Sequence, residues 1–283
     1  MEQIATIAGL RTAVARARTD GARIGFVPTM GFLHEGHLRL VDEAKLRARC
    51  VVMSVFVNPT QFGPNEDFTR YPRDLSGDAS KAAGRGTDLL FVPDVSEMYP
   101  AAPSLHVSAD DLPTRWEGAI RPGHFSGVLT VVAKLFNIVA PDVAVFGRKD
   151  FQQAALIRRM ARELNFPIEL VVAPTVRESD GLALSSRNTY LDASARVSAL
   201  ALVTSLRGAA RAFAQGEHNG ERLTAIGLET LRAHPEVGVD YFAVVDPVDM
   251  KPVDTAASDS VAIVAARVGK TRLIDNMILG EGT

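Results

Sequence analysis

Apolar positions along the chain switch between two periods. Over residues 3–19, Ile, Leu, Val and Ala recur at helical spacing among arginines, and "RIGFVP" at 23–28 then reads as a short buried strand. Leu38, Val41, Ala44 and Leu46 mark one face of a helix, and the almost wholly apolar "CVVMSVFV" follows as a strand. Strand, helix, strand is a βαβ unit, and continuous apolar strands suit a parallel sheet covered on both faces. The alternation continues through a helix near 74–84, the strand "TDLLFVP", the buried helix "SGVLTVVAKLFNIVA", the strand "DVAVFG", a helix over about 150–164 and the strand "IELVVAP". This pattern predicts a Rossmann-like, doubly wound α/β sheet whose ligands gather at the carboxyl ends of the strands.

Beyond about Arg187 the grammar changes. Two Ala- and Leu-rich helices, near 192–215 and 220–233, precede the strands "DYFAVVD", "SVAIVAARV" and "TRLIDNMIL", the last two joined by a Gly-Lys turn. Helices followed by a run of strands predict a separate, smaller α+β domain. The expected organisation is therefore an α/β domain over 1–187 and an α+β domain over 188–283, which a length of 283 residues accommodates.

Charge narrows the classes of partner. Acidic residues number 33 and basic ones 31, so no broad positive field favours nucleic acid or a membrane surface, and a charged ligand must be met locally. The apolar strand runs fall short of the roughly 20 residues that span a bilayer. "MEQIATIAGL" carries Glu2 and no basic segment ahead of a long apolar run, which argues against a secretory signal. The lone Cys50 lies in a strand-like run and reads as a small buried side chain. A soluble protein of a reducing compartment, the cytoplasm, is the expectation.

Every strong polar cluster follows a predicted strand, an arrangement expected to form one pocket. In "PTMGFLHEGH", His34 and His37 stand three residues apart where a helix begins. The order His-Glu-Gly-His fails the His-Glu-x-x-His template of zinc proteases. Two surface histidines or a generic metal site remain open readings, with His124 the nearest further ligand by motif order. Phosphate binding fits better: Gly36 and His37 sit where free backbone N–H groups and the helix dipole favour anions, and Gly31 and Gly36 permit close approach. "GRKD" at 147–150 offers a glycine, a cation and an aspartate that reads equally as a helix cap. "LSSR" at 184–187 presents two hydroxyls and a guanidinium, or a polar linker. Gln61 and Gln153 are neutral groups able to hold hydroxyls and a carboxylate. Arg121 and His124 are a cationic loop or a turn built on Pro122 and Gly123. Asp67, Arg70, Tyr71, Arg73 and Asp74 are polar, loop-borne positions that read as a surface network. "GRGTDL" lacks the third glycine of a dinucleotide fingerprint and "GKT" lacks the upstream glycine of a P-loop, which disfavours both classes.

Taken in order, "PTMGFLHEGH", "FVNPTQFGPNEDFTRYPRD", "RPGHFSGVLTVVAKLFNIVAPDVAVFGRKDFQQ" and "PTVRESDGLALSSRN" closely resemble the pantothenate synthetase family, the ATP-dependent pantoate and β-alanine ligases. These blocks run through residues 28–188. The family belongs to the nucleotidyltransferases with a His-x-Gly-His signature, read here as "HEGH". The resemblance implies ATP as substrate with Mg2+, and (R)-pantoate and β-alanine as the molecules joined through a pantoyl adenylate. It implies ATP contacts from Met30, Gly31, Phe32, Leu33, His34, Glu35, Gly36 and His37, with both imidazoles on the phosphates and His37 as proton donor. It implies further ATP contacts from Gly147, Arg148, Lys149 and Asp150, then Val176, Leu184, Ser185, Ser186 and Arg187. Lys149 falls to a phosphate, Asp150 to the ribose, and the serines and Arg187 to the triphosphate. Gln61 and Gln153 match the pantoate pair, with Gln61 also beside β-alanine. Arg148 stands where the family usually has glutamate. The resemblance further implies a homodimer built through the N-terminal domain, and no protein-held metal site is implied. Separately, the C-terminal domain is expected to close over ATP as a lid and shield the adenylate from water.

Overall fold

The computed structural model describes residues 1–64 and 66–281. Its chain divides into two compact units, one of residues 1–148 and 156–174, the other of residues 149–155 and 175–283.

The first unit is built on six strands: β1 (Glu2–Ile4), β2 (Ile24–Thr29), β3 (Cys50–Val55), β4 (Leu89–Phe91), β5 (Val143–Gly147) and β6 (Glu169–Ala173). They hydrogen-bond in the order β1-β4-β3-β2-β5-β6, and every pairing is parallel. The order reverses across β2, so β2 and β5 flank the switch point where such sheets take ligands. Phe26, Val27, Val51, Val52, Met53, Val143 and Val145 are fully buried, as strands covered on both faces require. Cys50 opens β3 as a buried free thiol. β1 is an addition to the pattern read above. It is only three residues long, with Ile4 alone buried, and its definition comes from pairing Ile4 with Phe91 across the sheet.

Helices α1 (Ile7–Thr19), α2 (Glu35–Lys45), α3 (Leu75–Arg85), α4 (Val95–Met98), α5 (Glu117–Ile120), α6 (His124–Val139) and α7 (Phe151–Glu163) complete the alternation. On α2 the buried face is Leu40, Val41 and Ala44, whereas Leu46 is 76% exposed. Of the expected stripe, Val41 and Ala44 are buried and Leu38 half-buried, and Leu46 drops out because it is the C-cap and lies past the last packed turn. α6 is buried nearly all round, and Gly127 lets it approach the 3-10 turn Pro59–Gln61 closely. A Cβ there would collide with Thr60 O and stand 2.7 Å from Gln61 Cα.

The second unit carries α8 (Ala193–Ala214), α9 (Gly220–Arg232) and an antiparallel sheet of β7 (Val237–Val245), β8 (Val261–Val268) and β9 (Thr271–Ile278), in that order. Leu202 and Leu206 of α8, Leu223 and Leu231 of α9, and Phe242 and Val264 of the sheet form its core. α8 is long and apolar enough to cross a membrane by length and composition, unlike the strand runs considered above, but 50% of that window is buried inside the fold. The boundary expected at 187/188 falls inside this unit. Arg177 pairs with Asp275 on β9, Arg177 and Ala183 form an isolated bridge, and residues 175–187 therefore group with the second core.

Candidate active site

In the first unit, β2 ends at Thr29, whose hydroxyl donates to Ser54 O (2.7 Å) and accepts from Gly31 N (3.1 Å). The chain then passes through two left-handed residues, Gly31 (φ 83°) and Phe32 (φ 51°). This turn aims the successive amides of Phe32 and Leu33 at one point, a small anion-binding nest. An internal carboxylate fills it. Asp78 of α3, 1% exposed, accepts from Phe32 N (2.8 Å) and Leu33 N (2.6 Å), while Lys81 Nζ donates to Leu33 O (2.8 Å). Residue 31 must be glycine for two reasons, its φ and the 2.8 Å that a Cβ would leave to Asp78 Oδ2.

His34 is the N-cap of α2. Its Nδ1 accepts from Gly36 N (3.2 Å), and His37 Nδ1 accepts from His34 N (3.4 Å), a capping box with imidazoles in the usual places of serine and glutamate. Backbone N–H groups can only donate, so both rings hold Nδ1 as acceptor, and in the neutral form the proton sits on Nε2. The ring centroids lie 4.1 Å apart. This geometry corrects the expectation of free amides at the helix start. Gly36 N is taken by His34, and His37 N bonds His34 O at 2.9 Å. Both Nδ1 atoms are therefore turned into the helix cap, with Nε2 on the far edge of each ring.

Gln61, 8% exposed, sits in the turn capped by Asn58. Asn58 Oδ1 accepts from Thr60 N (3.3 Å) and Asn58 Nδ2 donates to Gly127 O (3.2 Å), so main-chain groups fix which way this amide points. Its Nδ2 also donates to Gln61 Oε1 (3.1 Å), which leaves Gln61 Nε2 as a donor, resting on Met30 Sδ at 3.1 Å. Sequence reading did not single out Asn58. The available signal was Asn-Pro ahead of a turn, a pair that favours an Asx turn.

Arg121 and His124, left open above as a loop or a Pro-Gly turn, are fixed parts of the same region. Arg121 grips Glu66 through Nε–Oε1 (2.7 Å) and Nη2–Oε2 (2.6 Å). It also donates through Nη1 to His124 Nε2 (3.0 Å), while His124 Nδ1 donates to Gln61 O (2.8 Å). Burial, and then the Arg121 charge, push the His124 imidazole down to about 4, so it stays neutral in this tautomer near pH 7. Burial acts to raise the Glu66 carboxyl, but the hydrogen bonds and charge of Arg121 outweigh it and hold the group below its ordinary range.

The remaining expected residues follow the end of β5. Gly147 closes that strand, with open space where a Cβ would stand, and Arg148–Asp150 forms a 3-10 turn leading into α7. The chain enters the second unit at Lys149. Lys149 Nζ lies 3.5 Å from Asp150 Oδ1, and Gln153 is half-buried on α7. Further along, Leu184 N bonds Val176 O (3.0 Å) and Ser185 Oγ accepts from Arg187 N (3.3 Å), capping the 3-10 turn Ser186–Tyr190. Asn188 Nδ2 ties this turn to Glu178 and Ala183 O, each at 3.0 Å. The expected residues thus fall into one set carried by the first unit (Met30–His37, Gln61, Gly147, Arg148) and one carried by the second (Lys149, Asp150, Gln153, Val176, Leu184–Arg187). Among the described residues, no three or more His, Cys, Asp or Glu side chains gather as a metal-binding group. Of the surface network read above, Tyr71 is buried, and Arg73 donates to Tyr71 O and Phe68 O (3.1 Å each).

Comparison with known proteins gives these sites a context. The family described as pantoate-beta-alanine ligase matches residues 2–278. Pantothenate synthetase of Moorella thermoacetica is 52% identical over 279 residues, 99% of each chain, and that of Pelotomaculum thermopropionicum is 51% identical over 276 residues, 98% of each. The crystal structure of pantothenate synthetase from Thermus thermophilus superposes with a TM-score of 0.94 at 48% identity, covering 99% of each chain. Pantoate-beta-alanine ligase from Francisella tularensis, crystallised with beta-gamma ATP and beta-alanine, has a TM-score of 0.79 at 32% identity, covering 99% of this chain and 98% of its own. Matched in sequence and in fold along nearly its whole length, from the six-stranded parallel sheet to the small antiparallel one, the chain belongs to the pantoate–β-alanine ligase family.

Proposed function

We propose that this chain, as a ligase that joins pantoate to β-alanine with ATP, works through two half-reactions and a pantoyl adenylate. In the first, a pantoate carboxylate oxygen attacks the α-phosphorus of MgATP, and the bond to the β-phosphate breaks to release pyrophosphate. In the second, the β-alanine amine attacks the acyl carbon, the acyl–phosphate bond breaks, AMP leaves, and the amine sheds a proton. Pantothenate is the product.

Both pantoate and ATP are anions, so the protein must offset repulsion while aligning them. His34 and His37 serve the phosphates through Nε2, because their Nδ1 atoms are held by the helix cap. Lys149 and Arg187 neutralise the triphosphate, Ser185 and Ser186 hydrogen-bond it, Asp150 takes the ribose, and Met30–His37, Gly147–Asp150, Val176 and Leu184 line the nucleotide. Gln61 and Gln153 orient pantoate without adding charge, and Gln61 also serves β-alanine. The Nε2 of Gln61 rests on a thioether, a weak acceptor, so a pantoate oxygen can replace it at small cost. Mg2+ enters as part of the nucleotide substrate. The protein acts as a cytoplasmic homodimer in this reading.

The observation that carries the proposal is the capped imidazole pair His34/His37, in a chain matched to the ligase family over residues 2–278. The test is exchange of labelled pyrophosphate into ATP. Exchange that needs pantoate but not β-alanine is expected, with AMP appearing only once β-alanine is added. Exchange independent of pantoate would overturn the reading.

A further inference from the structure

β9 is an edge strand, yet two consecutive polar residues on it are buried: Asp275 is 5% exposed and Asn276 3%. Neighbouring residues of a strand point to opposite faces, so here the edge is covered on both sides. Each residue reaches a different segment of the second unit.

On one side, Arg177 donates to both Asp275 oxygens, Nη1–Oδ2 at 2.6 Å and Nη2–Oδ1 at 3.0 Å. The same guanidinium donates to Asn276 O (3.1 Å) and to Gly181 O (3.2 Å). Arg177 also bridges Ala183 through its main chain, so the whole turn 177–183 is fastened to β9 immediately before Leu184–Arg187. On the other side, Asn276 Nδ2 donates to Lys149 O at 2.8 Å. A buried carboxylate is costly unless it is paired and hydrogen-bonded, and a bidentate guanidinium meets both needs. Asp275 also accepts from Asn276 N (2.8 Å), which ties the two residues together.

We infer that Asp275 and Asn276 are positioning residues for nucleotide activation: one spot on β9 sets both Lys149 and the segment 184–187 without touching substrate. The inference rests on the nucleotide-binding roles proposed above for Lys149 and Leu184–Arg187. It predicts a selective defect. Losing the Asn276 amide displaces Lys149, which matters while pyrophosphate is leaving and matters far less once the adenylate exists.

The test is Asn276→Leu in the full chain, which removes the amide donor and leaves the Arg177–Asp275 pair in place. Pantoate-dependent pyrophosphate exchange should fall about 10- to 100-fold with a raised KM for ATP. KM for pantoate should stay within about twofold, as should the rate at which supplied pantoyl adenylate and β-alanine give pantothenate. Equal losses in both half-reactions, or no loss in exchange, would overturn the inference. Should Asn276→Leu fail to fold, Asn276→Ser, which keeps a short polar group but cannot reach Lys149 O, is read by the same two outcomes. Failure of the underlying reading is distinct, because the unaltered protein would then show no pantoate-dependent exchange.

Discussion

The helix start from His34 to His37 in the first unit caps itself, with two imidazoles accepting from amides two and three residues away. The segment 176–188 in the second unit instead leans on Asp275, 98 positions along the chain from Arg177. A self-capped turn is written in a few adjacent letters, and it forms as soon as its helix does. A segment pinned across the fold has its shape only when the distant strand is in place. One consequence is that damage to the first should read mainly as lost chemistry, and damage to the second as lost stability together with weakened nucleotide handling.

The largest effect should come from His37→Ala. Turnover should fall about a thousandfold, as for loss of one preorganised donor to a developing anion, while the cap costs about 1 kcal/mol in chemical denaturation. Near-normal turnover would remove the phosphate role. Asp275→Ala probes the other side of the comparison. It leaves the Arg177 guanidinium half-buried without its carboxylate, and denaturant unfolding should show a loss of about 3 kcal/mol; an unchanged midpoint would mean that water replaces the partner fully. Gly127→Ala drives a methyl group into the turn that carries Gln61, and should cost about 2 kcal/mol and raise KM for pantoate.

The smallest effect is a slope. His124 is neutral in the fold down to about pH 4 but titrates near 6.5 when unfolded, so between those values the unfolded chain binds more protons. Its contribution is complete above about pH 6.5 and is lost as the pH falls toward 4, at up to about 1.4 kcal/mol per pH unit. His124→Asn should flatten that part of the stability–pH curve relative to the unaltered chain. Parallel curves would show that the imidazole is reached by solvent.

The same contrast explains what could be read in advance. The parallel sheet was legible because β2, β3 and β5 are apolar runs whose period survives in one dimension. His34 and His37 were legible because they stand three residues apart where an apolar-periodic helix begins, although the capping box they form and the fate of their neighbouring amides were not. Asp78 was invisible: nothing near residue 78 tells that its carboxylate fills a nest at Phe32 and Leu33. Likewise, "TRLIDNMIL" read as a strand, but its Asp-Asn pair acquires meaning only from Arg177 and Lys149. The boundary expected at 187/188 misplaced residues 175–187 for that reason, since the contact that assigns them to the second unit is long-range. β1 escaped because three residues carry no period.

Asn58 has one more consequence. Its amide is held by a main-chain donor on one side and a main-chain acceptor on the other, so it cannot flip without breaking both bonds. Gln61 inherits that direction and presents hydrogens rather than a lone pair. In terms of selection, under the pantoate role proposed for Gln61 this uncharged side chain prefers an ionised acid over its ester or lactone, whose oxygens are weaker acceptors. Discrimination of this kind needs no cation, and so adds no competing attraction for the phosphates of ATP.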